Sequence, residues 1–155
     1  MTTAEELVQL LKEKKLHIAT AESCTGGLVA SSLVDVAGAS EVFEEGYVTY
    51  SDFVKAKNLG VSPETLKKYT AVSCPVAEEM AEGAAKKSRA DVAVSVTGYA
   101  GPDAAEDGTP AGTVYIGVFY QNHVQGYHFR FEGDRSEVRT QAVQEALSLV
   151  LDTIR

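Results

Sequence analysis

Ser23 lies in the segment of this chain whose residue types and spacing are best suited to chemistry. The segment reads Thr-Ala-Glu-Ser-Cys-Thr-Gly-Gly over residues 20–27, between apolar runs at 16–19 and 28–36. This pattern predicts a strand, a tight glycine turn and a helix, which places Ser23 beside free N–H groups at a helix N-terminus. Three interpretations follow: a nucleophile with an oxyanion site, a phosphate cradle, or a satisfied turn serine with Thr25 as the N-cap.

Lys55 is the candidate base for such a serine. It falls in the first turn of a helix that Ser51 is expected to cap, where the helix dipole disfavours a cation. Desolvation by Tyr50, Phe53 and Val54 would act in the same direction and lower the pKa of the amine. A neutral lysine can take the proton of a serine hydroxyl and make it a nucleophile. The alternative is an ordinary solvated lysine on a helix surface.

Other side chains support competing chemistries less well. Cys24 also lies near a helix N-terminus, which lowers the pKa of a thiol, so a cysteine hydrolase stays open although no base is predicted beside it. His17, His123 and His128 have no paired spacing, and no second cysteine lies near Cys24. We therefore predict no metal site and no cofactor. No signal brings a histidine to Ser23, so a Ser-His-Asp triad is weakly supported.

The composition describes an ordinary globular chain. Its 155 residues, 45% of them hydrophobic, suit one domain over 1–155. A formal net charge of -8 argues against non-specific nucleic-acid binding and against docking on anionic membranes. Two cysteines make no disulfide framework, and residues 1–15 contain no signal-peptide apolar block, so we expect a cytoplasmic protein. No run approaches the roughly 18 apolar residues of a membrane span.

Helices and strands must alternate to position the candidate residues. Expected helices cover 3–14, where Thr3 and Glu6 form a capping box, and 25–36. Three shorter helices are expected to begin after Ser51, Ser62 and Ser73. A second capping box, Asp134 and Glu137, is expected to open the terminal helix. Expected strands cover 16–22, 46–50, 90–97, 112–120 and 124–131, the last two forming an antiparallel hairpin. We predict an α/β fold: a three-layer α/β/α sandwich with a mixed, mostly parallel sheet and a late antiparallel hairpin.

A second glycine loop follows the apolar strand at 90–97, which is predicted to be buried on both faces. The loop begins with Thr97 and Gly98 and continues through Ala100 and Gly101. Ligands of open α/β sheets bind beyond the carboxyl ends of strands, so this loop and residues 24–27 are expected to face one crevice. A nucleotide- or phosphate-binding module without catalysis would use the same two loops.

Several of these segments are similar to the CinA C-terminal domain family. They are residues 20–27, 46–51 with Lys55, 60–65, 72–73, 95–102 and 112–116, in collinear order along nearly the whole chain. The resemblance implies a nicotinamide-nucleotide amidase, which hydrolyses nicotinamide mononucleotide to nicotinic acid mononucleotide and ammonia. The family's domain occurs alone or fused behind a molybdopterin-binding-like domain, and this chain resembles the stand-alone form.

Carried over by motif, the resemblance makes Ser23 the nucleophile and Lys55 its general base, with Tyr50 and Thr97 beside them. Oxyanion and substrate contacts are then expected from both loops, through Cys24, Thr25, Gly26, Gly27, Gly98, Ala100 and Gly101. Arg135 or Arg139 could supply positive charge to the phosphate. The expected partner is a small-molecule nucleotide, with no nucleic acid and no membrane, and the protein is expected to form a homo-oligomer.

Two further features bear on these expectations. The acidic run at 103–107 stands where family members commonly have glycines, and an acidic loop beside a phosphate ester repels it unless the loop points away. The alanine-rich helical face at 76–85 offers small residues that allow close approach, which makes it a candidate oligomer interface.

Overall fold

A five-stranded mixed sheet between two layers of helices organises the chain in the computed structural model, which describes residues 1–155. The elements in chain order are α1 (Thr3–Lys14), β1 (Ile18–Glu22), α2 (Leu28–Val34), β2 (Phe43–Val48), α3 (Asp52–Leu59), α4 (Pro63–Tyr69), α5 (Cys74–Ser88), β3 (Val92–Gly98), β4 (Thr113–Tyr120), β5 (His123–Arg130) and α6 (Arg135–Ile154). A single 3₁₀ turn, Ala39–Glu41, precedes β2. No helix combines the length and apolarity that crossing a membrane requires.

The strand order is β2-β1-β3-β4-β5. β1 pairs in parallel with both β2 and β3, whereas β4 pairs antiparallel with β3 and β5 antiparallel with β4. The parallel pairs need crossover helices, and α2 and then α3 to α5 supply them. Gln121 and Asn122 join β4 to β5 with positive φ angles of 53° and 60°, which suits a two-residue hairpin turn. The predicted α/β class, mixed sheet and late hairpin are confirmed.

Two apolar clusters lie on opposite faces of the sheet. Alternation along β1 sends Ile18 to the face covered by α1, α2 and α6, and sends Ala19 and Ala21 to the face covered by α3, α4 and α5. β3 alternates in the same way and is buried on both faces, as its apolar sequence predicts. This alternation decides the direction in which each side chain at the end of β1 points.

The alanine-rich face of α5 packs closely on the sheet. All six of its apolar residues are buried: Val76, Ala77, Met80, Ala81, Ala84 and Ala85. Ser95 of β3 donates a hydrogen bond to the carbonyl of Ala77 and accepts one from the N–H of Gly117. The expectation that residues 76–85 form an oligomer interface is therefore wrong, because this face belongs to the core.

Gly117 provides the clearest test of this packing. A Cβ added there would meet the carbonyl oxygen of Ala77 and the hydroxyl of Ser95, so we expect Gly117→Ala to lower the free energy of unfolding by about 2–3 kcal/mol. Gly108→Ala is the control, because its methyl meets no atom within 4 Å and its φ of 88° costs only about 1–2 kcal/mol. Urea unfolding of both variants measures the difference; equal losses would contradict the close contact of α5 with β4.

Several element ends differ from the sequence prediction for local reasons. Thr2, rather than Thr3, caps α1 and forms the capping box with Glu5. α2 begins three residues later than expected because Gly26 and Gly27 have left-handed φ angles of 57° and 103°, which a right-handed helix cannot contain. β2 begins at Phe43 and ends at Val48, since pairing with β1 extends toward the 3₁₀ turn.

Candidate active site

Ser23 and Glu22 leave the end of β1 on opposite faces of the sheet. The Ser23 N–H donates to the carbonyl of Val96 at 2.9 Å, so Ser23 continues the pairing of β1 with β3. Strand alternation then directs the Glu22 side chain toward α2 and the Ser23 hydroxyl toward α3. Both residues are buried, at the edge of the sheet where β1, β2 and β3 have their carboxyl ends.

Lys55 brings a buried amine to the Ser23 hydroxyl. Ser51 caps α3 by accepting from the N–H of Val54, as predicted, which places Lys55 at the end of the first turn. Its Nζ lies 3.1 Å from Ser23 Oγ, 2.9 Å from the Thr49 carbonyl and 3.4 Å from the Tyr50 carbonyl. The side chain is 1% exposed and forms no ion pair.

This environment favours the neutral form of the amine. Burial lowers the pKa of Lys55 below its ordinary 10.5, and the charge of Asp52 opposes this effect only in part. A neutral amine has two N–H groups, which match the two carbonyls, and one lone pair, which can accept from Ser23. The expected desolvation by the side chains of Tyr50 and Phe53 is wrong, because these side chains are 65% and 72% exposed.

The serine elbow, residues 23–27, carries unused backbone donors. Gly26 donates its N–H to the Ser23 carbonyl at 3.1 Å, whereas the N–H groups of Cys24, Thr25 and Gly27 have no partner within the chain. The expected set of oxyanion donors is thereby reduced by one, to Cys24, Thr25 and Gly27. Free donors that follow a nucleophile along the chain are the arrangement that stabilises a developing oxyanion.

Glu22 is the residue that our sequence analysis missed. Its Oε1 accepts from the Thr25 hydroxyl at 2.6 Å and from the Val29 N–H at 2.8 Å, and its Oε2 accepts from the Ala30 N–H at 3.0 Å. The expectation that Thr25 is the N-cap is therefore wrong, since its hydroxyl donates to Glu22. The first-turn N–H groups of Val29 and Ala30 are not available to a phosphate, because they already bind the carboxylate. One sequence signal could have indicated this role: Gly27, before α2, has no side chain to cap the helix, and the acidic Glu22 lies shortly before it.

The two arginines expected at the phosphate have different surroundings. Arg139 is half-buried, and its guanidinium donates to the carbonyls of Cys24 at 3.0 Å and Thr25 at 3.1 Å, so it holds the serine elbow. Arg135 is exposed and donates to the Gly101 carbonyl at 2.7 Å and to the Tyr50 hydroxyl at 3.3 Å. It forms no ion pair, and only two of its five N–H groups donate within the chain.

A cleft of about 200 Å³ lies between the two glycine loops. Its lining consists of Cys24, Tyr50, residues 98–103 and Arg135, which include the predicted Gly98, Ala100 and Gly101. Ser23 and Lys55 do not themselves line the cleft; both are buried behind it, next to its lining residues Cys24 and Tyr50. A larger groove of about 630 Å³ between α1, α2 and α6 is lined by no residue of either glycine loop.

Thr97 and Asp103 complete the surroundings. Thr97 lies beside Ser23 on the next strand, where its hydroxyl donates to the Ala71 carbonyl at 2.9 Å. Since a hydroxyl has one proton, Thr97 can still accept but has none left to donate. Asp103 lines the cleft without a hydrogen bond or an ion pair. At least this residue of the acidic run therefore faces the expected phosphate site. No three potential metal ligands among His, Cys, Asp and Glu lie together.

Cys24 lies in an environment unlike that of a reactive thiol. It is 6% exposed, and burial raises its pKa to about 11, although the charge of Arg139 acts in the opposite direction. The thiol therefore stays protonated at neutral pH, and only a thiolate is an effective nucleophile. This geometry gives no support to a Cys24-dependent hydrolase.

Comparison with known proteins gives consistent matches along the chain. The family model described as the CinA C-terminal domain matches residues 1–154. A protein of Caldicellulosiruptor saccharolyticus that bears a competence-damage inducible name is 49% identical over 153 residues, which are 99% of this chain and 37% of that protein. The chain thus spans about a third of the length of the curated relatives that it matches.

Solved structures show the same architecture. A CinA superfamily protein from Klebsiella pneumoniae superimposes with a TM-score of 0.96 at 36% identity, covering 98% of this chain and 95% of its own. One from Escherichia coli gives a TM-score of 0.95 at 41% identity, covering 97% and 88%. The α/β sandwich described above is therefore shared with both.

Proposed function

This chain belongs to the CinA C-terminal domain family, and we propose that it is an amidase that hydrolyses nicotinamide mononucleotide with a Ser23–Lys55 dyad. The observation that carries the proposal is the 3.1 Å contact between Ser23 Oγ and the Nζ of a buried lysine without an ion-pair partner. A neutral amine within hydrogen-bond distance of a hydroxyl is the pair that nucleophilic catalysis requires.

The reaction proceeds in two halves. Lys55 accepts the Ser23 proton as Oγ attacks the carboxamide carbon, and the resulting ammonium returns that proton to the amide nitrogen, which leaves as ammonia. An ester between Ser23 and the nicotinoyl group remains. Lys55, neutral again, takes a proton from water as the water oxygen attacks the ester; it returns the proton to Ser23, and nicotinic acid mononucleotide leaves.

The serine elbow assists both halves through its backbone. Each attack moves negative charge onto the former carbonyl oxygen, and the unpaired N–H groups of Cys24, Thr25 and Gly27 are the nearest donors along the chain. Donors that are already oriented act without reorganisation, and removing one such donor costs about 100-fold to 1000-fold in rate.

The cleft sets the expected pose of the substrate. A volume of about 200 Å³ suits the pyridine ring and its carboxamide, with the ribose phosphate at the rim. Arg135 is exposed at this rim with three N–H groups free of protein partners, whereas Arg139 is half-buried and does not line the cleft. We therefore assign the phosphate to Arg135, against the opposing charge of Asp103.

Replacement of Arg135 tests this assignment. We expect Arg135→Gln to raise KM for nicotinamide mononucleotide about tenfold, the equivalent of about 1.4 kcal/mol, while kcat changes little, because the phosphate is remote from the amide. Nicotinamide riboside, which lacks the phosphate, should show no such change. Arg130→Gln is the matched control, since Arg130 is exposed and outside the cleft. An equal rise in KM for both substrates would contradict a phosphate contact.

The function itself is tested by product analysis. Purified protein with nicotinamide mononucleotide should release ammonia and nicotinic acid mononucleotide in equal amounts. Calorimetric binding of the nucleotide with no turnover would instead indicate a non-catalytic binding module. Rapid inactivation by iodoacetamide that Cys24→Ala prevents would transfer the chemistry from Ser23 to the thiol.

A further inference from the structure

A buried carboxylate that the proposed reaction does not use lies directly beside its serine. Glu22 is 1% exposed, and no lysine or arginine forms an ion pair with it. Burying a charge is costly unless hydrogen bonds replace its water. Two N–H groups from the first turn of α2 and the Thr25 hydroxyl replace the water that the Glu22 carboxylate loses on burial. These three donors hold the carboxylate in one position.

We propose that Glu22 is a positioning residue that fixes the conformation of the serine elbow. The elbow contains two consecutive glycines with positive φ, and such residues leave a chain free to adopt several conformations. Glu22 ties the middle of the elbow to its beginning through Thr25, and ties the following helix to the same point through Val29 and Ala30. Gly27, which precedes α2, supplies no side-chain cap of its own.

Arg139 holds the opposite side of the same segment. It binds the carbonyls of Cys24 and Thr25, and in a trans peptide the N–H points opposite to the preceding carbonyl. The Arg139 contact with the Cys24 carbonyl therefore directs the Thr25 N–H away from the guanidinium. Glu22 fixes the side chain of Thr25 as well, so an anion and a cation together set the direction of one unused donor.

The position of Glu22 separates its role from substrate binding. Its carboxylate points to the α2 face of the sheet, where it accepts from Thr25, Val29 and Ala30, whereas the Ser23 hydroxyl points to the α3 face and contacts Lys55. A group that acts only through the elbow should affect the chemical step and leave the affinity for substrate unchanged. This kinetic expectation rests on the proposed amidase function; the structural role does not.

Glu22→Gln is the most informative variant. A glutamine keeps the size, but its amide nitrogen cannot accept a hydrogen bond, so at least one of the three donors loses its partner. We expect kcat for nicotinamide mononucleotide to fall about 10-fold to 100-fold, because small misplacements of reacting groups cost about that much. KM should stay within about twofold, and the pH dependence of kcat/KM should keep its wild-type pKa because the Lys55 contacts persist. Thr25→Val, which leaves the carboxylate intact, should give a smaller loss of kcat of the same kind.

Hydrogen exchange tests the proposal without any substrate. At least one of the two amides that bind Glu22, Val29 and Ala30, should exchange about tenfold faster or more in Glu22→Gln than in wild type, while α5 is unchanged. Unchanged kcat, a raised KM, a shifted pH profile or unchanged exchange at these amides would each overturn the role. If Glu22→Gln does not fold, Thr25→Val decides by kcat, KM and the pH profile alone, because its Val29 and Ala30 amides keep the carboxylate as their partner. A wild type without amidase activity would refute the proposed function, while exchange would still decide the role of Glu22.

Discussion

Ser23→Ala is expected to lower ammonia release from nicotinamide mononucleotide by about 10⁴-fold or more. Removal of a serine nucleophile leaves only the residual catalysis of oriented donors and substrate binding. The hydroxyl is buried and its contact with Lys55 Nζ is its only side-chain hydrogen bond, so alanine removes the reacting oxygen with little effect on packing. A coupled ammonia assay under saturating nucleotide measures the loss.

The matched control is Ser31→Ala, because Ser31 is exposed on α2 and its side chain makes no hydrogen bond within the chain. Its rate should stay within about twofold of wild type, since such surface changes are nearly neutral. Calorimetry with nicotinic acid mononucleotide should show that Ser23→Ala still binds the product. Ammonia release by Ser23→Ala at the wild-type rate would remove this hydroxyl from the mechanism.

Lys55→Met is expected to cost about 10³-fold to 10⁴-fold in kcat, because Ser23 then has no group to accept its proton. Methionine has nearly the same length and needs no water, so the core can retain its shape, although two carbonyls lose a donor at about 1–3 kcal/mol. Lys55→Arg should be similarly inactive, since a guanidinium does not deprotonate in this pH range. Lys57→Met, two residues along the same helix and exposed, is the control and should retain activity. Activity in Lys55→Arg equal to wild type would exclude Lys55 as the base.

The pH dependence should follow the lowered pKa of Lys55. The free enzyme needs the neutral amine, so kcat/KM should rise with pH through a pKa below 10.5. Stability should change in the same direction: between the folded pKa and 10.5 the unfolded chain binds more protons, so the free energy of unfolding increases with pH in this window. Lys55→Met should lose this dependence, which urea unfolding across the window would measure.

Local sequence signals predicted much of the fold and the approximate position of the site. Ser51 and Gly60 mark the two ends of α3, and the strand and glycine turn around Ser23 place it at the edge of the sheet. Caps, glycine turns and strand patterns depend on residues close together in the chain, so they can be recognised in a single sequence. The contact between Ser23 and Lys55 was carried over by motif, and the structure supplies its distance.

The parts that the sequence did not predict depend on residues far apart along the chain. Arg139 reaches the serine elbow from a helix that begins more than a hundred residues later, so no local pattern indicates that its charge is already engaged. Lys55 is buried beneath backbone carbonyls and not by Phe53, because the direction of a side chain depends on how α3 packs against α5 and α4 and on the course of the segment between β2 and α3. The same holds for α5, whose small residues suit either an interface or, as found, a tightly packed core.

Trapping the acyl intermediate tests the central claim most directly. Hydroxylamine competes with water for an ester on Ser23, so adding it to wild type with nicotinamide mononucleotide should divert product from the acid to the nucleotide hydroxamate in proportion to its concentration. The Ser23→Ala variant should form neither product. Steady release of ammonia and acid with no hydroxamate at any hydroxylamine concentration would mean that water attacks the amide directly, which would contradict a serine nucleophile activated by Lys55.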